Sequence, residues 1–295
     1  MGHPTLTLSY STEKYPNILV VNYNKRHEVK QSFALCVRWM IFPDDDISQR
    51  LIEWIEMNKL IGINHIYLNE INIHPNMSKA INYYVNQGYV TLTKWTLPML
   101  EPDEHRIQIT ETIPLIDCIF RSMNKFKYLV IFDLDEQLIP IQHDNMDDMM
   151  TYINNNIRDT NENIDSFNIN RKYFLDGETN ENDILLKNIP KNLHMMRNVY
   201  KKYQRRYKSI HNLDRVVILT SHESILCEKD GEIYDCNNYA IDSSLAQLNH
   251  YRKIQRGKVN HHRSHLDVSI WKYLLRLNDS VNHVNQEIFN TNGVN

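Results

Sequence analysis

The stretch that decides the fold of this chain is Tyr128-Leu129-Val130-Ile131-Phe132-Asp133-Leu134-Asp135-Glu136, an apolar run that ends in three carboxylates within four residues. An unbroken run of apolar, β-branched and aromatic residues is typical of a strand that is covered on both faces. Burying an ionised carboxylate without a partner is costly. The acids therefore mark the point where this strand meets water or a cation.

Asp133 and Asp135 are two positions apart, so on an extended segment their side chains project to the same side. In open α/β sheets ligands bind outside the carboxyl ends of the strands, where this pair would lie. Carboxylate oxygens at that place favour a hard divalent cation that can bridge to the phosphates of a substrate. Alternatively, an Asp after a strand is a turn residue or a helix N-cap, but a cap needs one acceptor and not three.

The chain before the acids alternates strands with helices. Strands are predicted at 33–40, 63–68, 89–95 and 128–133, and helices after the Asp44-Asp45-Asp46 cap, at 78–86 and from Asp103 onward. Pro114 predicts a kink or break in the last helix. That helix has an apolar stripe expected to face the core, formed by Ile109, Ile113, Ile116, Phe120 and Met123. The order β-α-β-α-β-α-β predicts an α/β fold with a parallel sheet and helices on both faces.

The chain after the acids continues with a mixture of elements. We predict a Met-rich core helix at 146–157 and strands at 166–174 and 215–220. A polar loop at 176–183 could act as a lid over a substrate. A closing helix is predicted at 267–277, with Trp271, Leu274 and Leu275 facing inward. The expected organisation is an extension at 1–32, one catalytic domain at 33–277 and a tail at 278–295.

The bulk composition excludes several classes of protein. The net charge of -3 gives no general attraction for nucleic acid or an anionic membrane, and no apolar run reaches the roughly 20 residues of a membrane span. The 7 glycines form no G-x-G-x-x-G or P-loop motif, so a bound nucleotide would have its phosphates held by a metal and side chains. Four cysteines without a C-x-x-C pair argue against a zinc site and leave the redox compartment open.

The run at 200–208, Tyr-Lys-Lys-Tyr-Gln-Arg-Arg-Tyr-Lys, interleaves cations with aromatic residues. Such a run could follow a nucleic-acid backbone. A solvated face or a phosphate-facing loop explains it as well, and no wider basic field surrounds it. We therefore expect no nucleic-acid partner.

A series of short stretches along residues 33–277 carries a family resemblance: Leu35-Cys36-Val37, Trp54-Ile55-Glu56 with Gly62 to Tyr67 behind it, Asp117-Cys118 with Arg121, Asp133-Leu134-Asp135-Glu136, Lys208-Ser209-Ile210, His222, and His250-Tyr251-Arg252. The specificity lies in their order, which resembles that of glycosyltransferase family 92. Gln137 departs from the pattern, because an apolar residue commonly stands there. The departure leaves the carboxylates intact.

The resemblance implies a GT-A-like fold, in which a mixed, mainly parallel sheet is flanked by helices and a nucleotide sugar is held on a divalent metal through an Asp-x-Asp motif. Known members look like inverting galactosyltransferases that move galactose from UDP-galactose to glycans with β linkage. It implies Mn²⁺ or a similar cation, a UDP-sugar donor, a glycan acceptor and the Golgi or secretory pathway. The membrane anchor usual in animal members is not found in this sequence. We therefore expect a fragment, a soluble form or another route of entry.

The resemblance also implies roles for individual residues. Asp135 is expected to bind the metal, with Asp133 on the metal or the ribose. His222 or His250 is a candidate for a further metal ligand, because GT-A enzymes often add a late histidine. The candidates to hold nucleotide phosphate charge are Lys208, Arg252 and Arg121.

An inverting transfer needs a base for the acceptor hydroxyl, and the sequence does not choose among the candidates. Asp133, Asp135 and Glu136 form the catalytic carboxylate motif. The candidate bases are Glu223, Asp176 and Glu178.

Two rival functions remain open. The run Val-Ile-Phe-Asp-Leu-Asp also begins haloacid-dehalogenase-type phosphatases, with Asp133 as nucleophile, although those proteins continue Gly-Thr where this chain has Glu136-Gln137. Their motif also opens the sheet near the N-terminus, whereas here it follows three β-α units. The other rival is a relative that has lost catalysis and only binds glycans.

Overall fold

The computed structural model describes residues 5–8, 17–20, 29–96, 110–156, 164–176, 186–197, 199–253 and 265–289. The strands are β1 Thr5–Leu8, β2 Asn17–Val20, β3 Gln31–Phe42, β4 His65–Ile73, β5 Val90–Lys94, β6 Phe126–Ile131, β7 Glu136–Pro140, β8 Ser166–Asp176, β9 Val199–Asn212, β10 Val216–Leu219, β11 Ser224–Lys229, β12 Glu232–Asp235, β13 Asn238–Ala240, β14 Ala246–Lys253 and β15 His265–Leu266. The α-helices are α1 Ser48–Leu60, α2 Pro75–Asn86, α3 Thr112–Ser122, α4 Met146–Asn156 and α5 Leu274–Phe289.

The main sheet has the order β5-β4-β3-β6-β9-β8-β14-β7, with β13 on β8 and β15 on β9. The first four strands are parallel, as the alternating β-α pattern predicts. From β6 onward the sheet is mixed, because β9 runs antiparallel to both β6 and β8. The strand order reverses between β3 and β6, and such a switch point is where open α/β sheets bind ligands. The predicted α/β, GT-A-like architecture is confirmed.

Helices cover both faces of this sheet, and alternate residues of β3 show it. Phe33, Leu35 and Val37 belong to the larger core, which includes the buried residues of α1, α2, α4 and α5. Ala34 and Cys36 belong to the smaller core under α3. Both faces of β3 are therefore buried, which explains its continuous apolar run.

The helix α1 ends as its sequence predicts, because Gly62 has the positive φ of +97° that ends the helix. Its start differs from the predicted aspartate cap: the N-cap residue is Ile47, and Asp46, one residue earlier, accepts a hydrogen bond from the backbone N–H of Ser48 at 3.0 Å. The expected Met-rich core helix is α4, whose Met146, Met149 and Met150 are buried.

The predicted core stripe of α3 is wrong. Ile113, Ile116 and Phe120 are 46%, 52% and 63% exposed, and the buried face carries Leu115 and Cys118 with Ile119 and Ser122. The helix has two apolar stripes at helical spacing, so periodicity alone could not select the inner one. Ile109 lies outside the described residues, and α3 begins at Thr112, so Pro114 falls in the first turn, where proline is tolerated.

The end of the chain also differs from the prediction. Residues Ser269–Tyr273 form a 3₁₀ helix that runs into α5. Leu275 is 78% exposed and does not face inward, whereas Trp271 and Leu274 pack against the core. Val281 and Val284 of α5 are buried. The expected tail boundary at 278 therefore falls inside a packed helix that continues to Phe289.

The cationic and aromatic run at 200–208 lies within β9, between β6 and β8. The interpretation as a phosphate-facing loop is therefore wrong. Lys208, at its end, is 1% exposed.

The four cysteines form two disulfides. Cys36 of β3 is joined to Cys118 of α3 across 82 positions of sequence, and Cys227 of β11 is joined to Cys236 across 9 positions. The first bond fixes which face of α3 packs on the sheet. It also starts two residues before Arg38, at the end of β3 where the pocket described below begins.

We expect the first disulfide to stabilise the chain more than the second, because it closes the longer loop. The loop-entropy relation gives about 4 to 5 kcal/mol for the 82-position separation and about 2 to 3 kcal/mol for the 9-position separation. Urea unfolding of the double variants Cys36→Ser/Cys118→Ser and Cys227→Ser/Cys236→Ser measures both losses. Equal losses, or a larger loss for the short loop, would contradict this ranking.

Candidate active site

A pocket of about 400 Å³ lies where β3 and β6 end. Asp133 and Asp135 both line it, as do Trp39 of β3, Trp54 of α1 and Arg252 of β14. The pocket therefore occupies the switch point of the sheet, with acids, cations and aromatic rings in one wall.

The two aspartates lie in a turn rather than on an extended segment. The backbone N–H of Glu136 donates to the carbonyl of Asp133 at 3.0 Å, and β7 begins at Glu136. We expected the two side chains on one side because residues two apart on a strand face the same way. That reasoning was wrong, because the segment is a turn. Both still reach the same pocket, but each carboxylate has its own partners.

Asp133 is held by two cations. Arg38 donates from Nε to Oδ1 at 3.0 Å and from Nη2 to Oδ2 at 2.7 Å, and Nζ of Lys208 lies 3.6 Å from Oδ2. Burial alone would raise the pKa of this carboxyl, but Lys208 and Arg38 lower the pKa to about 2. Asp133 is therefore ionised at any physiological pH.

Arg38 is a site residue that the sequence analysis missed. It also pairs with Glu111, just before α3, and these two carboxylates raise its pKa against the lowering effect of burial. The available signal was a single arginine inside the otherwise apolar strand 33–42. A cation at that place needs an anion nearby, and the acids that follow β6 supply one.

Asp135 faces β14. Its Oδ2 lies 3.0 Å from Nε2 of His250, and its carbonyl accepts a hydrogen bond from the backbone N–H of Tyr251 at 2.7 Å. Nε of Arg252 donates to the same Nε2 of His250 at 2.9 Å. The structure therefore brings together three of the residues that the sequence analysis named at this site.

Glu136 lies beneath the two aspartates and is fully buried. Oε1 accepts from Nη1 of Arg171 at 2.9 Å, and Oε2 lies 3.0 Å from Nζ of Lys208. Oε2 also accepts the backbone N–H of Asp133 at 3.1 Å. Arg171, like Arg38, was not named from the sequence.

His222 and Glu223 lie in the turn between β10 and β11. Nδ1 of His222 lies 3.1 Å from the carbonyl of Tyr207, and Glu223 accepts a hydrogen bond from the Tyr207 hydroxyl at 2.9 Å. Burial and the charge of Lys208 lower the pKa of His222. Neither side chain contacts Asp135 in the described contacts.

Arg121 lies on α3, where it pairs with Asp117 at 2.6 Å. It is not among the residues that line the pocket. The side chain of Asp176 and all of Glu178 lie outside the described residues, as does most of the polar loop at 176–183.

Comparison with known proteins identifies the family. Residues 31–292 match Glycosyltransferase family 92. The chain belongs to glycosyltransferase family 92. A segment of this family 92 chain is also 30% identical over 116 residues to "Beta-1,4-galactosyltransferase galt-1" of Caenorhabditis elegans. That segment is 39% of this chain and 27% of the relative, so most of the relative's length has no counterpart in the match. Together they support glycosyltransferase activity.

Solved structures are more distant. The "Crystal structure of S. aureus TarS" is 7% identical in sequence, with a TM-score of 0.30. The match covers 50% of this family 92 chain and 21% of the TarS chain. A structural similarity this low gives no information about function. Among the described residues, no helix is long and apolar enough to cross a membrane.

The donor atoms at Asp135 and His250 suit a divalent ion once Nε of Arg252 releases Nε2 of His250, because a ring nitrogen has only one lone pair to offer. Two ligands at right angles, each about 2.1 Å from an ion, lie about 3 Å apart, and Oδ2 of Asp135 and Nε2 of His250 are 3.0 Å apart. Asp133 is engaged by Arg38 and Lys208 instead. In the described part of the chain, three such ligand atoms lie within 4.8 Å of one another at Asp165, Cys227 and Cys236, where a disulfide occupies both sulfurs.

Replacing Arg38 with Gln should destabilise the fold by about 2 kcal/mol near neutral pH, because a partly buried carboxylate loses its two-pronged partner. The lowered pKa of Asp133 contributes stability above pH 4, and this contribution is lost as the pH falls toward about 2. The loss caused by the substitution should therefore be larger at pH 7 than at pH 3. Urea unfolding of both proteins at the two pH values measures it.

The matched control is Arg121→Gln, which breaks a partly exposed helical pair with Asp117 in which the arginine side chain is 42% exposed. Helical pairs at a spacing of four contribute about 0.5 kcal/mol, so this variant should change little. Equal losses for the two variants, or an Arg38→Gln loss that is the same at both pH values, would contradict the role given to Arg38.

Proposed function

We propose that this chain transfers galactose from UDP-galactose to a glycan acceptor, with β linkage and dependence on a divalent cation. The observation that carries the proposal is the pair Asp135 and His250, 3.0 Å apart at the edge of the switch-point pocket of a family 92 chain. The relative named as a β-1,4-galactosyltransferase supports the choice of galactose and linkage.

Asp135 and His250 are the residues that would hold the ion, which we take to be Mn²⁺ or a similar cation. When bound, such an ion supplies positive charge against the diphosphate that leaves as the sugar is transferred. Asp133 has a different task in this proposal. Because Arg38 and Lys208 already compensate its charge, its free lone pairs are suited to accept hydrogen bonds from ribose hydroxyls.

The cations around the pocket suit a diphosphate. Arg252 lines the pocket and is exposed there, so its remaining donors are available to phosphate oxygens. Lys208 is buried under Asp133, and it acts on the phosphates through the field it contributes rather than by direct contact. We assign the direct phosphate contact to Arg252.

The base that deprotonates the acceptor remains one of several carboxylates. Glu223 is exposed and bonded to the Tyr207 hydroxyl, and a carboxylate in water is a weak but available base. Asp45 lines the pocket and is exposed, which adds a candidate that the sequence analysis did not consider.

The disulfides bear on location. Cys36–Cys118 and Cys227–Cys236 are bonds of a kind that forms and persists in oxidising compartments. They support the Golgi or secretory pathway as the place where the chain works. Measuring free thiols on protein taken directly from its cells tests this part of the proposal.

The test is a panel of UDP-sugars with a glycan acceptor mixture, assayed with Mn²⁺ and after chelation. We expect turnover of UDP-galactose with Mn²⁺, and a loss of about 100-fold or more after chelation or in Asp135→Asn. Asp242→Asn is the matched control, because among the described residues the side chain of this exposed aspartate bonds locally, to Ser244. Its activity should equal that of the wild type.

The outcomes separate the rival functions. If the metal-free enzyme and Asp135→Asn turn over as well as the wild type, the carboxylate pair is not the site. Hydrolysis of a generic phosphate monoester without dependence on UDP-sugar would favour the phosphatase. Glycan binding without turnover of any donor would favour the inactive binding protein.

A further inference from the structure

A short segment between β8 and β9 forms part of the pocket wall. Within residues 186–197, which we call the wall segment, His194 and Met195 line the pocket at the switch point. The regular structure of the wall segment is two 3₁₀ turns, Leu186–Asn188 and Met195–Arg197. Turns of this kind have poor hydrogen-bond geometry of their own. The position of the wall segment therefore depends on contacts that other parts of the chain supply.

Apolar side chains and one indole hold the back of the wall segment. Ile189, Leu193 and Met196 are 4%, 0% and 1% exposed and belong to the larger core. Nε1 of Trp271 donates a hydrogen bond to the carbonyl of Met196 at 3.0 Å. These contacts keep the segment on the core, but the burial of apolar side chains is non-directional. The orientation of the residues that face the pocket therefore requires a polar anchor.

Glu53 of α1 is a polar anchor at those residues. Its Oε2 accepts the backbone N–H of His194 at 2.9 Å, and its Oε1 accepts the backbone N–H of Met195 at 2.9 Å. Glu53 is 0% exposed, so water does not compete for these bonds. Two consecutive N–H groups that meet the two oxygens of one carboxylate are fixed in distance and in rotation. Glu53 thus sets how the wall segment presents His194 and Met195 to the pocket.

A glutamate at position 53 has a chemistry that its closest isostere lacks. A carboxylate accepts on both oxygens, whereas the amide of glutamine has one acceptor oxygen and an NH₂ group that only donates. In a glutamine of the same shape, that NH₂ group would face one of the two backbone N–H groups. One buried N–H would then lose its partner, which is costly. Burying a carboxylate for packing alone would also be unfavourable, so the two bonds explain why this position is acidic.

We propose that Glu53 is a positioning residue that holds His194 and Met195 as a wall that keeps water away from the sugar during transfer. The inference rests on the proposed function. In the transfer, the acceptor oxygen bonds to C1 of galactose and the bond from C1 to the diphosphate oxygen breaks. UDP leaves with that electron pair, and the acceptor proton passes to the base. If water takes the place of the acceptor, the donor is hydrolysed, and an apolar wall at Met195 excludes that water.

The first measurement is amide hydrogen exchange in the protein without ligand. The N–H groups of His194 and Met195 should exchange at least about 10-fold faster in Glu53→Gln than in the wild type, because the variant loses an acceptor. Asp165→Asn is the matched control, because Asp165 is also fully buried and accepts the backbone N–H of Asn237 at 2.9 Å, but does not line the pocket. It should leave exchange at the wall segment unchanged. Equal exchange in the wild type and Glu53→Gln overturns the inference.

The second measurement separates positioning from stability. Transfer and hydrolysis are followed together with UDP-galactose, Mn²⁺ and a glycan acceptor, at a temperature where circular dichroism shows every variant folded. We expect the ratio of transfer to hydrolysis to fall about 10-fold or more in Glu53→Gln, because misplacing a bound substrate by about 1 Å can cost about 100-fold in rate while water still reacts. Asp165→Asn should keep the wild-type ratio even where it lowers thermal stability.

The outcomes keep this inference separate from the proposed function. A wild-type ratio in Glu53→Gln, together with faster exchange, overturns the inference and leaves the proposed function intact. If the wild type turns over no UDP-sugar, the proposed function fails and the exclusion of water fails with it, while exchange still decides whether Glu53 anchors the wall segment.

A second variant covers the case in which Glu53→Gln does not fold. Met195→Ala keeps the backbone N–H that Glu53 binds but removes the apolar side chain from the pocket wall. Its ratio of transfer to hydrolysis should fall as well, because water can enter where the side chain was. A wild-type ratio in Met195→Ala overturns the inference.

Discussion

The structure of the site depends on one buried carboxylate and its two cations. Glu136 lies about 3 Å from both Arg171 and Lys208, and all three side chains are almost entirely enclosed. Opposite unit charges at that distance attract by about 5 kcal/mol at an effective dielectric constant of about 20. Removing each ion from water costs several kcal/mol, so the group adds little net stability. The group mainly fixes geometry, because moving any one of the three side chains would leave a buried charge without its partner.

The mixed second half of the sheet holds this charged group together. The buried charges come from different strands: Glu136 from β7, Arg171 from β8, Lys208 from β9 and His250 from β14. The pairing of β14 with β7 sets His250 opposite Glu136, and the pairing of β8 with β9 brings Arg171 near Lys208. The mixed half of the sheet thus places a charged layer under the turn, while β3 and the turn after β6 supply much of the pocket above it.

The sequence predicted what depends on neighbours along the chain. The apolar strand before the acids, the glycine that ends α1 and the alternating pattern of the first half are local signals, and the structure agrees with them. The sequence analysis missed Arg38 and Arg171, because their partners Asp133 and Glu136 lie 95 and 35 positions away along the chain. Only the register of the sheet brings each pair together. His250 was found only through the family resemblance. The face of α3 was predicted wrongly because two apolar stripes compete, and a disulfide decides between them.

The net charge of the side chains at the site affects which substrate the site can bind. The described contacts join four carboxylates, Glu111, Asp133, Asp135 and Glu136, to four permanent cations, Arg38, Arg171, Lys208 and Arg252, in part through His250. The group is therefore close to neutral before any substrate enters. A nucleotide-sugar diphosphate carries two negative charges, and a partly enclosed site would meet that excess unfavourably. The same diphosphate with a divalent cation adds no net charge. In the function proposed above, this balance favours a substrate that arrives with its metal, and Asp135, which has no cationic partner of its own among the described contacts, is the carboxylate that would meet it.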